Sequence, residues 1–426
     1  MYIRQNCVIG TKSIATKCLE KQVSSGPTHN LGLNQMPGTI FQFYNVILML
    51  EFYPKTNYTL RIHQSTRRSA MKKSVVLLFC LASLASGAES YNIETYRLFG
   101  PEHPGQYKHP ASITQLTNGD LYIAYYGGSA EYGDDTAVYG SRLKRGEIQW
   151  TEPKIIADTP GRGEGNPVVW QAPDGWVWLF YVNRYGKTWS NARVKAKISD
   201  DGAQTWSDSF MLNFEEGTMV RGQPIVLNNG DYLLPMYYET GEDREKTAST
   251  TCSYFMRYNP KTKVWTETNR IKSPMGNLQA QVVQLTDKYL IAYIRRGGDF
   301  LPTNRGYMLR CESRDGGYTW SDAVETKFKN PNSAVDFIKL KNGHLLLVYN
   351  DNMNDRTPLT VAISTDGDKT YPYRRNIAGG DNSFAYPYAI QTRDGKIHIV
   401  YTTNSRTTIM HAVFDEFAII GSPPEL

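Results

Sequence analysis

The sequence predicts an all-β protein, a six-bladed β-propeller of four-stranded antiparallel blades, and two repeated patterns carry that prediction. The first is a recurrent turn. Asn118-Gly119, Asp174-Gly175, Asn229-Gly230, Asp287-Lys288, Asn342-Gly343 and Asp394-Gly395 each lie between two β-rich runs, and their second residues are 56, 55, 58, 55 and 52 positions apart. Asn-Gly and Asp-Gly tolerate positive φ and so suit tight hairpins. A period of this length, with several strands in each unit, is the signature of a propeller with one such turn per blade. The second pattern is an octet, Ser-x-Asp-Gly-x-x-Thr-aromatic, at Ser199–Trp206, Ser313–Trp320 and Ser364–Tyr371. Its Ser and Asp side chains can bond backbone N–H groups within a turn, and its aromatic residue can pack between blades.

Each unit follows one order. An inner strand leads into the hairpin, and an apolar second strand follows, as in Leu121–Tyr125 or Leu345–Tyr349. A third strand comes next, such as Ala192–Ile198 or Thr360–Ile363, and a fourth begins after an aromatic residue: Trp150, Trp206, Trp265, Trp320 or Tyr371. The sixth unit supplies three strands, ending at His411–Phe414, so Tyr91–Leu98 is expected to complete it and close the ring without a free edge.

Charge and targeting bound the class of function. The 426-residue chain has a formal charge of +6, but residues 1–88 hold 10 of its 47 Lys+Arg and 2 of its 41 Asp+Glu, which leaves the remainder near −2. That removes the support for a nucleic-acid partner. Met71-Lys72-Lys73, the apolar run Ser74–Ala82 and the small residues Ser86-Gly87-Ala88 form a secretory signal pattern. Three segments are therefore expected: 1–70, an over-extended reading frame; 71–88, the signal peptide; and 89–426, the propeller, secreted or periplasmic. The apolar run Val46–Phe52 is too short to span a bilayer, and no membrane insertion is expected. Beyond residue 88 only Cys252 and Cys311 remain of five cysteines, too few for a disulfide framework. The histidines there lack ligand-like spacing, so no metal or other cofactor is expected.

The polar residues of inner strands converge on one face of a propeller. Here they are Lys108 and His109; Arg162, Glu164 and Asn166; Arg221 and Gln223; Asn277, Gln279 and Gln281; Asn330, Asn332, Ser333 and Asp336; and Tyr386 and Tyr388. Such a rosette suits a hydroxyl-rich ligand that carries an anion, because arginine grips a carboxylate with two parallel bonds. His109 is also a candidate general base.

With its six units, its octets of the Asp-box type and these positions, the chain resembles the sialidase superfamily, the BNR-repeat propellers. That resemblance implies a carboxylate held by three arginines, a tyrosine nucleophile assisted by a glutamate, and an aspartate acid on a loop. Tyr386, nine residues before Gly395, matches the nucleophile, Arg295 the second arginine and Arg356 the third. Asp135, with Asp134 beside it, lies where the acid would be, although both also suit a turn. Two positions depart from the pattern. Tyr107-Lys108-His109-Pro110 replaces a Phe/Tyr-Arg-Ile-Pro motif, and Gln279 replaces the glutamate, although an amide cannot accept the tyrosine proton. Glu164 and Asp336 are the candidates to supply that base. The expected function is an exo-acting glycosidase for a terminal acidic sugar of a glycan, with Arg221, Asn332 and Asp336 added to the binding residues. A lyase or hydrolase of uronic-acid polysaccharides and a non-catalytic glycan-binding propeller are the alternatives.

Overall fold

The computed structural model describes residues 92–244 and 246–421. The expected signal segment, the stretch before it and Tyr91 lie outside the described residues. Blade one contains β2 (Tyr107–Gln115), β3 (Leu121–Gly128), β4 (Ala137–Leu143) and β5 (Lys154–Ala157), after β1 (Glu94–Phe99) has entered the last blade. Blade two contains β6 (Gly163–Gln171), β7 (Val177–Arg184), β8 (Ala192–Ser199) and β9 (Phe210–Met211). Blade three has β10 (Thr218–Val220), β11 (Ile225–Val226), β12 (Tyr232–Tyr238), β13 (Cys252–Asn259) and β14 (Val264–Glu267). Its inner strand is split by Arg221-Gly222-Gln223-Pro224, where Pro224 has no N–H to give to the ladder.

Blade four contains β15 (Asn277–Gln284), β16 (Leu290–Arg296), β17 (Tyr307–Ser313) and β18 (Val324–Lys329). Blade five contains β19 (Asp336–Lys339), β20 (Leu345–Asn350), β21 (Leu359–Ser364) and β22 (Tyr373–Ala378). Blade six contains β23 (Ala385–Gln391), β24 (Ile397–Thr403) and β25 (Thr408–Phe414), with β1 as its outer strand. The short helix α1 (Phe417–Ile420) packs against β21 and β22. The all-β, six-bladed reading and the closure of the ring by the first strand are both as expected. Glu94 pairs with Val413 and Tyr96 with His411.

The octets act within their turns. Ser313 Oγ donates to Asp315 Oδ1 at 2.8 Å and accepts from Gly317 N–H at 2.9 Å, while Asp315 accepts from the N–H and hydroxyl of Thr319. The same bonds recur around Asp201 and Asp366. The aromatic residue then packs on the preceding blade: Trp320 stacks on Phe255 with ring centroids 4.3 Å apart. Blade three lacks the octet and departs from the expected order, since Trp265 falls inside β14 instead of before it.

One irregularity of the inner strands decides what the propeller axis presents. β2, β6, β15 and β23 each slip register near their start, at His109-Pro110, Asn166-Pro167, Gln279-Ala280 and Tyr386-Pro387. A bulge of this kind re-aims a side chain, and a proline without an N–H favours it where the ladder is already interrupted. Asn166, Gln279 and Tyr386 consequently hold positive φ values of 42°, 61° and 55°.

Candidate active site

The four bulges surround a cavity of about 140 Å³, and His109, Asn166, Gln279 and Tyr386 all line it. Tyr386 is 8% exposed, with its phenol oxygen at the centre of the polar network. Arg295 Nη1 donates to that oxygen at 3.0 Å and to Gln279 Oε1 at 3.1 Å. Gln279 Nε2 lies 3.5 Å from the same oxygen and 3.4 Å from the Tyr237 hydroxyl. Two N–H groups therefore point at Tyr386, and donors aimed at a phenol oxygen favour its phenolate form. Burial pushes the Tyr386 pKa up, but the guanidiniums of Arg295 and Arg356 outweigh it, and the net direction is below the ordinary phenol value. An amide at position 279 fits this arrangement, since its N–H can donate to the phenol oxygen and takes no proton from it.

Arg295, on β16, is held from behind by Asn332, whose Oδ1 accepts from Nε at 2.7 Å. Arg356 donates Nη2 to the Asn332 carbonyl at 3.2 Å, and its guanidinium lies 5.8 Å from the centre of the Tyr386 ring. The third guanidinium is Arg406, from the turn after β24, which was not among the sequence candidates. It ion-pairs with Glu131 and donates to the Tyr107 hydroxyl at 3.1 Å. Glu131, Glu239, Arg244 and Lys246 also line the cavity and were likewise missed. No spacing pattern marks Arg406. It rests on three consecutive left-handed residues, Asn404, Ser405 and Arg406, with φ values of 50°, 51° and 65°.

His109 lines the cavity with its ring centroid 4.1 Å from that of Tyr386. Thr402 donates its hydroxyl to the Ala385 carbonyl at 3.1 Å, so its oxygen is the acceptor for His109 Nδ1–H at 2.9 Å. That assigns the proton to Nδ1 and leaves the buried Nε2 as a lone-pair acceptor without a partner. Burial, reinforced by Arg406, Arg356, Arg221 and Arg295, holds the imidazole well below its usual pKa and keeps it neutral.

Other candidates lie outside the cavity. Lys108 turns away, and its ammonium donates to the carbonyls of His103, at 3.0 Å, and Gly105. Arg221 is fully buried and donates Nη2 to the carbonyls of Tyr386 and Pro387 at 3.0 and 2.8 Å, which braces the bulge. Asp336 accepts from the N–H groups of Ala389 and Phe337, and burial, opposed by Arg221, pushes its carboxyl up to about 6. Asn332 seats the two arginines from outside the cavity. Asp135 accepts from the N–H and hydroxyl of Ser129 at 2.9 and 2.8 Å, as a turn former does, and exposed Asp134 pairs with Arg184 at 2.8 Å. Glu164 is buried against Asn183 at 2.9 Å and pushed up to about 7, away from the cavity.

A six-bladed antiparallel propeller with Asp-box turns and an arginine-lined axial cavity defines the class: a sialidase-type propeller. The chain belongs to the family of the BNR repeat-like domain, whose model matches residues 119–399. Among solved structures it is similar to a Hadza microbial sialidase, at 19% identity over 76% of this chain and 69% of that one, with a TM-score of 0.64. It is also similar to the leech intramolecular trans-sialidase, at 13% identity over 79% and 72%, TM-score 0.62. The α-L-arabinanase of Penicillium chrysogenum aligns at 15% identity over 75% and 97%, TM-score 0.55. At such identities the likeness is one of fold. No curated protein sequence matches the chain. Among the described residues, no helix is long and apolar enough to cross a membrane, and no cluster of three His, Cys, Asp or Glu could hold a metal ion.

Proposed function

We propose that the chain is an exported, exo-acting glycosidase that removes a terminal acidic sugar of the sialic-acid type, with Tyr386 as nucleophile. The observation that carries this reading is the grouping of Arg295, Arg356 and Arg406 with Tyr386 in one cavity, where Arg295 Nη1 donates to the Tyr386 hydroxyl. Five cations line that cavity, with Arg244 and Lys246, against the two carboxyl groups of Glu131 and Glu239, in a propeller that is itself nearly neutral. An anionic sugar would complete the charge, its carboxylate taking guanidinium N–H bonds in pairs. A tyrosine nucleophile suits such a substrate, since the guanidiniums beside the phenol oxygen offset the charge it brings toward the carboxylate-bearing anomeric carbon. The test is turnover of a fluorogenic α-sialoside by the purified chain and by Tyr386→Phe. Release that falls on the order of 10³-fold in the variant supports the reading. No release at high enzyme concentration overturns it.

The unpartnered Nε2 of His109 beside Tyr386 favours a second reading, β-elimination on a uronic-acid polysaccharide. Nε2 would take the proton α to the sugar carboxylate while Tyr386 protonates the leaving oxygen. Its mark is an unsaturated product that absorbs in the ultraviolet.

A further inference from the structure

We infer that Glu239 is the proton donor to the departing glycosidic oxygen, an assignment that rests on the reading of Tyr386 as nucleophile. Strand geometry aims the side chain. Tyr237 turns into the cavity, where its hydroxyl accepts from Asn166 Nδ2 at 3.0 Å, and alternation along the extended chain puts Glu239, two residues on, on the same side. The backbone is seated by Glu239 N–H on the Gly217 carbonyl at 2.8 Å. Gly217 has φ +91°, and a Cβ there would meet the Glu239 carbonyl at 2.5 Å, so this approach requires glycine.

The two acids of the cavity stand in different states. Glu131 is engaged by Arg406 and by the Tyr107 hydroxyl at 3.0 Å. Among the described residues, no hydrogen bond or ion pair engages the carboxyl of Glu239. The groups that face it are Arg295 from β16, Glu131 from the loop after β3 and Tyr237 from its own strand, with Arg244 and Lys246 on the loop beyond. Burial within the cavity walls, opposed by Arg295 and aided by Glu131, pushes its carboxyl up to about 7. Two acids whose surroundings differ in this way divide their roles: Glu131 holds Arg406 in place, and Glu239 is left to carry a proton.

Tyr386 attacks as the phenolate: its oxygen bonds to the anomeric carbon as the glycosidic C–O bond breaks, and the departing oxygen takes the Glu239 proton. Water then attacks the same carbon, Tyr386 leaves as phenolate, and the proton of that water returns to Glu239.

Leaving-group dependence tests the assignment. The full chain, Glu239→Gln and Glu131→Gln are assayed on a 4-methylumbelliferyl α-sialoside, whose phenol departs with little proton assistance, and on sialyllactose, whose alkoxide needs a proton. Glu239→Gln is expected to lose on the order of 10²- to 10³-fold in kcat/KM on sialyllactose and under about 10-fold on the activated substrate. Its melting temperature should match that of the parent, since the change is isosteric. An equal loss on both substrates, or the leaving-group split appearing in Glu131→Gln instead, overturns the assignment. Absence of turnover by the unaltered chain on both substrates overturns the parent reading, and this one with it.

Discussion

Asn332 shows how one residue can govern a site it does not line. Its side-chain oxygen holds Arg295 Nε at 2.7 Å, its carbonyl holds Arg356 Nη2 at 3.2 Å, and its amide donates to the Gly298 carbonyl at 3.0 Å. Asn332→Gly permits the positive φ of 54° and keeps the carbonyl, and removes the side chain with its amide. A hydrogen bond to a charged group is worth about 1.5–3 kcal/mol, so KM for the sialoside is expected to rise roughly 10- to 100-fold with a smaller change in kcat. Steady-state kinetics on the variant decide this, and an unchanged KM would show that Arg295 is placed by other contacts. At this scale residue identity was legible in the sequence and side-chain direction was not. Tyr386, Arg295 and Gln279 were picked out by the family resemblance, and all three line the cavity. Lys108 and His109 were both named, yet a single bulge sends the imidazole into the cavity and the ammonium out of it. The prolines after His109, Asn166 and Tyr386 were the available signal for those bulges.

Elements stabilised by their own side chains behave differently, and the Asp-box turns were legible in full for that reason. Every bond of the turn closes within eight residues, so composition alone implies it. Those bonds also hold the carboxyls below their usual range. Burial would raise the Asp315 value, but bonds from Thr319, Ser313 and Tyr318 bring it down to about 2. For Asp366 the Thr370 bonds come first and give the same value. A depressed folded-state pKa contributes stability that is present above the unfolded value near 4 and is lost as pH falls through the folded one. Asp315→Asn is therefore expected to melt below the parent at neutral pH, with the gap narrowing between about pH 4 and pH 2. Thermal melts across that range check it, and a gap that stays constant would assign the loss to packing. By contrast, the Arg406–Glu131 pair joins blade six to the loop after β3, 275 residues apart, and no local rule reaches that far.

The whole molecule depends on a strand borrowed from the other end of the chain. Five residue pairs tie β1 to β25, and without them blade six would present an unpaired edge on its outer side. Deletion of residues 92–99 is expected to lower the melting temperature by roughly 10 °C or more, or to leave the protein insoluble. An unchanged melt would show that three strands suffice for the last blade. The turn period made this closure legible, because six hairpins with only three strands in the final unit require a strand from elsewhere. The cavity at the axis was less so, since it is assembled from blades one to six and from loops whose course depends on all of them. The partner of Glu94 is Val413, so β1, among the earliest strands to be synthesised, stays without its neighbour until the last blade has left the ribosome. Ring closure is then a terminal event, governed by contacts distant in sequence and correspondingly slow. Until it occurs, a nascent propeller carries two open edges that can pair with another chain, and stalled or truncated products should be the species that chaperones hold.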